Sequence, residues 1–363
     1  MSENKVSNLF LAAINPYIEK NTVSNKEEKI NGKDFISWGD GNKYPQFLLD
    51  LYNNCTTLQT IINGTSDYVC GDDIVCNVEK FSKTINKNGD TIKDLVQKIV
   101  LDYLLFGSFA IQVIKDYAGN ISELYWVDVN KLRSDEKNEV FYYSDDWNKS
   151  YGRVKTILYP KYKLFDSNAT SIFYFKGNKT RTVYGSPIWS AAVKNVQIET
   201  QITDFHLNEL NNNFMTSKLI SFNNGTPSDE QKLEIERNLN EKFSGSENAG
   251  RVMISFSDSK ENAPEIMDLG TDSFADRYNT LAKRNKEEIY CAFRCTPLLM
   301  GLVSESNGFA TSEYSDSFKL FNKTVVKPIQ DVIIDTLDKI FFQTNSITIT
   351  PFTITFEKND KEE

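Results

Sequence analysis

Few side chains in this 363-residue sequence are of the types that commonly perform catalysis, and histidine is the clearest example. The chain has one histidine, His206, and any Ser-His-Asp or Cys-His catalytic arrangement would have to use it. It lies in a stretch that predicts a long helix, and no nucleophile elbow lies near it. We therefore interpret His206 as an ordinary helical histidine.

The cysteines do not form a recognisable metal or disulfide pattern. Their number is odd, and they are too sparse for the disulfide framework of a small secreted domain. The spacing of the last four does not match the repeated knuckle of a structural zinc site. We expect unpaired thiols at Cys55, Cys70, Cys76, Cys291 and Cys295.

Nucleotide chemistry also lacks a recognisable motif. The sequence contains no G-x-x-x-x-G-K-[ST] phosphate loop and no G-x-G-x-x-G after a predicted strand. Carboxylates are plentiful, but none forms a pair that apolar neighbours would shield. We predict no catalytic residue, no cofactor and no metal. The alternative among enzymes is a hydrolase or transferase built around unrecognised carboxylates.

Composition sets broader limits on the protein. Hydrophobic residues make up 40% of the chain and aromatic residues 12%, which is enough to build cores in two or three domains. No apolar stretch approaches a membrane span and no signal peptide is recognisable, so we expect a soluble, unsecreted chain. The formal net charge is −9, whereas a protein that holds DNA tightly is normally basic. The charge argues against a DNA-binding module.

The first half of the sequence predicts a compact α+β unit. Residues 1–40 are polar and predict a loosely held arm. Apolar residues at helical spacing predict helices from Tyr44 to about Gly71 and from about Ile92 to Gly107, and Asp90 and Thr91 can cap the second. Alternating runs then predict a series of strands, at 109–114, 121–129, 140–143, 156–159 and 172–175.

Long helices dominate the second half. The stretch from Pro187 to about Met215 contains no internal glycine or proline and predicts a helix of up to about 40 Å. A second helix is predicted over 273–294. The module between them has strands predicted at 219–222, 251–256 and 265–269, and is too small to hold a large core alone.

The last part of the chain predicts a third long helix and a closing strand. The helix runs over 312–342 and contains Pro328, which should kink it. Residues 301–311 before it are rich in glycine, serine and asparagine and predict a loop. Residues 347–356 alternate in the manner of a strand.

Four stretches occur in an order and at separations that are together specific. They are Leu104–Ala110 (LLFGSFA), Tyr184–Ala192 (YGSPIWSAA), Ile289–Gly301 (IYCAFRCTPLLMG) and Phe318–Pro328 (FKLFNKTVVKP). Over about residues 45–345, this succession resembles the portal, or head-to-tail connector, family of tailed bacteriophages. The family usually has Gly-Val-Pro-Pro where this chain has Arg294–Pro297, a departure that keeps the proline at the helix end.

The resemblance implies an α+β portal fold. Such a fold has an α/β wing, two long stem helices, a small α/β clip inserted between them and a kinked C-terminal helix, here with a short or absent crown. The implied parts are an N-terminal arm 1–44, wing 45–183, stem helices 184–215 and 272–297, clip 216–271, tunnel loop 298–312, wing helix and closing strand 313–356, and charged tail 357–363.

The resemblance also implies a function. Portal proteins form a ring, twelve-fold in the particle, at one capsid vertex, and double-stranded DNA passes through its channel during packaging and ejection. The implied partners are other copies of the chain, the major capsid protein, the terminase large subunit, a head-tail adaptor and non-specifically held DNA, with no membrane. The implied location is the virion, after assembly in the host cytoplasm. The alternative is another head-tail structural protein, such as an adaptor.

Three groups of residues are candidates for contacts with DNA or with neighbouring copies. The implied tunnel loop would touch DNA through Ser304, Glu305, Ser306 and Asn307. On the second stem helix, the basic side chains of Lys283, Arg284 and Lys286 could face the channel. Alternatively, they could form salt bridges between subunits with acidic residues such as Glu199 or Glu209. The clip would offer strand edges to its neighbours through Leu219, Phe222, Arg251, Phe256 and Leu269.

Overall fold

Contacts within the chain divide it into two units. Unit 1 comprises Met1–Thr22 and Ile198–Lys283, and unit 2 comprises Val23–Gln197 and Arg284–Glu363. The computed structural model describes residues 23–29, 34–147, 155–177, 182–211, 218–222, 228, 230–231, 234, 252–256, 274–302 and 311–353. The expected tunnel-loop contacts (Ser304–Asn307), the predicted strand 265–269 and the charged tail 357–363 lie outside these ranges.

The segment before the first helix is packed into unit 2. Strand β1 (Glu27–Lys29) pairs antiparallel with β2 (Ile36–Trp38), and all three residues of β2 are buried. Trp38 stacks on Tyr184 with ring centroids 4.4 Å apart. The expectation of a loosely held arm is wrong here, because large apolar side chains among the polar residues supply a buried face.

Three helices and a short strand follow. The predicted run from Tyr44 divides into α1 (Tyr44–Asn54) and α2 (Thr56–Cys70), because Cys55 has an extended backbone conformation. Strand β3 (Asp73–Cys76) precedes α3 (Ile92–Phe106). Thr91 and Asp94 form a reciprocal capping box at the start of α3, which confirms the predicted helix start.

Two antiparallel three-stranded sheets complete the first half of unit 2. The first has the order β5-β4-β9 and consists of β4 (Ser108–Lys115), β5 (Ile121–Val127) and β9 (Thr170–Lys176). The second has the order β6-β7-β8 and consists of β6 (Leu132–Ser134), β7 (Val140–Tyr143) and β8 (Ile157–Pro160). The strands predicted from alternation are all present within a residue or two.

The first of the two long helices in the middle region begins later than the sequence predicts. Helix α4 (Val193–Asn211) begins six residues after Pro187, because residues 190–192 form a single 3-10 turn first. Trp189 is buried and donates its indole N–H to the Leu104 carbonyl at 3.1 Å, which holds the preceding segment in a non-helical path. Helix α5 (Phe274–Phe293) matches its predicted range closely.

The described part of unit 1 includes a pair of strands. Strand β10 (Lys218–Phe222) pairs in parallel with β11 (Val252–Phe256), with Lys218 opposite Val252 and Phe222 opposite Phe256. Both strands were predicted from the sequence. Parallel pairing requires a long crossover between the strands, which agrees with the intervening length of chain.

The C-terminal helix is interrupted close to Pro328, where the sequence predicts a kink. Helix α6 (Thr311–Phe321) passes through one π-helical turn (Asn322–Val326) into α7 (Lys327–Phe341), with Pro328 in the first turn of α7. Because Pro328 has no N–H to donate back along the helix, the regular hydrogen-bond ladder cannot pass through this point. Strand β12 (Ile347–Thr350) then pairs antiparallel with β3.

One continuous hydrophobic core joins α1, α2, α3, α7 and the first sheet within unit 2. Its fully buried members include Leu58, Val96, Phe109 and Ile333. No helix in the described ranges is both long and apolar enough to span a membrane.

Candidate channel and subunit-contact surfaces

Two of the sequence motifs meet at one point in unit 2, which we call the joint (Gly107 with residues 182–189). Gly107 ends α3 in the left-handed conformation, with φ of 70°. A Cβ atom on Gly107 would lie 2.1 Å from the Ser186 carbonyl oxygen, and one on Gly185 would lie 2.6 Å from the Gly107 carbonyl oxygen. The glycines of both motifs are therefore required by one close backbone contact.

The N-terminal strands hold the joint in place. The Glu27 carboxylate accepts the backbone N–H groups of Val183 at 2.7 Å and Tyr184 at 2.9 Å. The Tyr184 hydroxyl donates to the Ile36 carbonyl and accepts the Ser134 N–H at 3.0 Å. Burial raises the pKa of Tyr184 well above its ordinary value, so the phenol stays protonated as a donor.

A buried arginine fastens the same N-terminal segment from the other side. Arg133 is almost fully buried and donates to the Asn42 carbonyl at 2.9 Å and the Leu132 carbonyl at 2.7 Å. Its guanidinium also lies over the Trp38 and Trp147 rings, at 5.9 Å and 5.0 Å from their centroids. Desolvation lowers the Arg133 pKa to about 10, which still leaves it charged.

A polar pair fixes the parts of α4 and α5 that belong to unit 2. Asn195 donates its side-chain N–H to the Asn285 amide oxygen at 3.0 Å, and Asn285 donates to the Asn195 carbonyl at 2.7 Å. Asn285 is buried, and Ile289 and Phe293 are buried on the same side of α5. A buried amide whose hydrogen bonds are supplied by one residue of the facing helix fixes the register between the two helices. The sequence signal was present, since Asn285 interrupts the apolar stripe of the predicted helix.

Tyr68 of α2 holds both flanks of the segment that contains the predicted tunnel loop. Its hydroxyl donates to the Leu299 carbonyl at 2.9 Å and lies 2.8 Å from the Tyr314 hydroxyl. Desolvation and the Tyr314 hydroxyl raise the Tyr68 pKa far above its ordinary value. Sequence reasoning missed this contact because it joins residues more than 200 positions apart.

Comparison with known families identifies the chain. The family described as "Phage portal protein" matches residues 81–360. The chain belongs to the phage portal protein family. The resemblance drawn from the four sequence motifs and the predicted α+β class are therefore confirmed.

Solved structures show the same fold at low sequence identity. A chain in the virion of a native gene transfer agent (GTA) particle is 15% identical, with a TM-score of 0.53, and the match covers 84% of this chain and 83% of that one. A chain in the neck of a native GTA particle, computed with C12 symmetry, is 14% identical with a TM-score of 0.51, covering 85% of this chain and 84% of that one. No curated protein sequence matches the chain.

The three basic residues predicted to meet the channel or a neighbouring copy lie on an exposed face of α5. Lys283, Arg284 and Lys286 are all exposed, and none makes an ion pair with a side chain in the described ranges. Glu199 and Glu209 lie in α4. The choice between a channel surface and a subunit contact stays a prediction.

The predicted clip contacts fall partly on described backbone. Leu219 and Phe222 lie in β10, and Phe256 lies in β11. Arg251 and Leu269 lie outside the described residues. Among the described residues, the pair β10 and β11 has no third strand, so each strand has one edge without a described partner.

Proposed function

We propose that this chain assembles into a closed ring at one vertex of a capsid, and that double-stranded DNA passes through the ring during packaging and ejection. The match to the portal family over residues 81–360 carries this proposal. The fold shared with a GTA neck chain computed with C12 symmetry supports a count of twelve copies.

The exposed face of α5 fits a helix that lines a channel or meets a neighbouring copy. One side of this helix is buried within unit 2 through Asn285, Ile289 and Phe293. The other side carries charges of both signs, Arg284, Lys286, Glu287 and Glu288, all of them exposed. A mixed-charge face is suited to polar contacts and not to the core of a single subunit.

The charge of the chain suits a passage for DNA better than a binding site. With a net charge of −9, a ring of many copies would repel phosphates on average, and counterion release would contribute little binding energy. DNA would stay mobile in such a channel. We therefore propose weak, non-specific DNA contact, made by Ser304–Asn307 in a tunnel loop over 298–312. Tyr68 contacts this loop near its start, at Leu299, and contacts Tyr314 just after its end.

The remaining parts take the roles that the family resemblance implies. We place the wing in 45–183 and 313–356, the stem in 184–215 and 272–297, and the clip in 216–271. The edges of β10 and β11 would meet neighbouring copies, and the clip would dock the terminase large subunit and a head-tail adaptor. The capsid protein would contact the ring at the vertex. The energy for packaging would come from terminase, and the chain itself would catalyse no reaction.

Native mass spectrometry of the purified full-length chain tests the proposal. Twelve copies of the 41.5 kDa chain give an assembly of about 500 kDa. Negative-stain images of the same sample should show rings with a central hole. A chain that stays monomeric across salt and protein concentrations would contradict the proposal.

A further inference from the structure

Exposed apolar side chains gather along one short segment of unit 2, which we call the β8 strip (residues 155–165). Ile157 is 55% exposed, Leu158 is 59% exposed and Phe165 is 88% exposed. The first two lie next to each other in β8 and therefore point to opposite faces of its sheet. Apolar groups exposed on both faces of a strand are typical of a surface that another chain covers.

The β8 strip is also positively charged. It contains Lys155, Lys161 and Lys163 and no acidic residue, within a chain whose net charge is −9. The Glu139 carboxylate forms ion pairs with Lys161 and Lys163, each at 3.0 Å. Its single negative charge offsets only part of the positive charge of the strip. The strip thus combines apolar anchors with an excess of cations, which favours a partner that is acidic.

The backbone of β8 has an open edge at its start. The Lys161 N–H donates to the Glu139 carbonyl, which fixes the hydrogen-bond pattern between β8 and β7. The odd-numbered residues of β8 form hydrogen bonds with β7, whereas the backbone N–H and carbonyl of Leu158 point away from β7. On that outer side the Tyr162 N–H donates to the Ile172 carbonyl of β9, which closes the edge further along. Within the described ranges, residues 156–158 are left able to pair with an added strand.

The end of the β8 strip is already ordered in the single subunit. The Lys115 ammonium is buried and donates to the carbonyls of Lys163 at 2.8 Å and Leu164 at 3.1 Å, and to the Asp166 carboxylate at 2.6 Å. This cage fixes the turn that displays Phe165. A surface whose residues are ordered before binding loses less conformational entropy when a partner arrives.

We propose that the C-terminal segment of a second copy, residues 354–363, adds to the open edge of β8 as a strand. Ile354 and Phe356 alternate with Thr355, which is the pattern of a strand with apolar side chains on one face. The rest of the segment has four acidic and two basic residues, which complements the lysines of the β8 strip.

The length of the segment and the geometry of a ring agree with this contact. The described structure ends at Thr353, and ten further residues in extended form reach about 33 Å. Strand addition uses backbone hydrogen bonds for affinity and side-chain pockets for specificity. Because the strip and the segment are different surfaces, the contact is head-to-tail, as a closed ring needs. The inference rests on the proposed ring.

Disulfide cross-linking between two populations of full-length chain tests the proposal. One population carries Leu158→Cys and the other Thr355→Cys, both with Cys291→Ser to remove the exposed native thiol. Mixed rings are oxidised and run on a non-reducing gel. We expect cross-linked dimers at least five-fold above the yield with Tyr117→Cys, a fully exposed control in the β4–β5 turn, and we expect 1 M salt to lower that yield.

Two results would overturn the proposal without touching the proposed function. One is a yield no higher than that of the Tyr117→Cys control in rings of normal mass. The other is a link within one chain only, seen when both cysteines are placed on the same polypeptide and diluted into unmodified chains. Failure of the unmodified chain to form rings would instead contradict the proposed function, and this inference with it.

Discussion

The surroundings of the joint in unit 2 and the exposed face of α5 each contain an arginine, but in opposite settings. Arg133 is buried and its guanidinium meets backbone carbonyls and two tryptophan rings of its own chain. Arg284 is exposed and makes no ion pair in the described ranges. The first region uses its polar groups to fix the path of the chain. The second leaves its polar groups available for DNA or for another copy.

The comparison predicts that the joint and the side chains packed on it form the more sensitive region. Trp38→Ala removes a fully buried ring that stacks on Tyr184 and lies beside Arg133. We expect the free energy of unfolding to fall by about 3–5 kcal/mol. Urea unfolding measures this, with the exposed Leu320→Ala as the matched control, expected to change it by less than about 0.5 kcal/mol. Similar losses of unfolding free energy in both variants would contradict the claim that this region is the more sensitive one.

A glycine substitution tests the close backbone contact itself. Gly107→Ala places a Cβ 2.1 Å from the Ser186 carbonyl oxygen and also strains a positive φ, so we expect a loss of about 2–4 kcal/mol. Gly119→Ala is the control, since its φ is 86° and nothing lies within 4 Å of the added atom. That control should lose about 1 kcal/mol from strain alone. Equal losses of unfolding free energy in the two variants would show that the backbone at Ser186 moves aside at little energetic cost.

The buried carboxyl of Asp102 makes the stability of the interior depend on pH. Desolvation raises the Asp102 pKa well above 3.8 although the Trp126 indole N–H donates to it at 2.8 Å. The folded state therefore keeps a proton that the unfolded chain releases, and this group makes stability fall as pH rises from about 4 toward the raised pKa.

Asp102→Asn should remove that dependence. The variant's stability relative to the natural chain should increase as pH rises from about 4 toward the raised Asp102 pKa, because the amide has no proton to lose. Urea midpoints at half-unit pH steps measure the difference, and the exposed Asp335→Asn variant should follow the natural chain. A constant difference across this range would mean that Asp102 is ionised in the folded protein.

The smallest effect on the subunit is expected on α5. Replacing Arg284 and Lys286 together with alanine should change the unfolding free energy by less than about 0.5 kcal/mol, since both side chains are exposed. If these cations pair with acids of a neighbour, the rings should dissociate at lower salt. If they face the channel, ring stability should be unchanged. A large loss of subunit stability would mean that the face has partners in its own chain.

The sequence predicted the elements of this fold well because most of them follow from periodicity. The strand at Val140–Tyr143 and the helix from Phe274 to Phe293 agree with their apolar patterns. The cap at Thr91 agrees with the residue types at the helix start. Local patterns of this kind need no knowledge of distant contacts.

The errors arose where distant contacts decide the local structure. The helix predicted from Pro187 begins at Val193, because Trp189 is held by the Leu104 carbonyl. The segment around Trp38 is buried by Tyr184 and Arg133, which lie far from it in sequence. Two of the four family motifs contain the residues of the joint, but the Tyr68 contacts and the Asn195–Asn285 pair became visible only in the fold.

An electron cryo-microscopy map of the assembled full-length chain, viewed along its symmetry axis, tests the central claim most directly. The account predicts a closed twelve-fold ring around a hole, with the charged face of α5 turned toward the hole or against the next copy. A self-contained subunit in which this face is covered by its own chain, or an assembly that leaves the face on the outer surface, would contradict it.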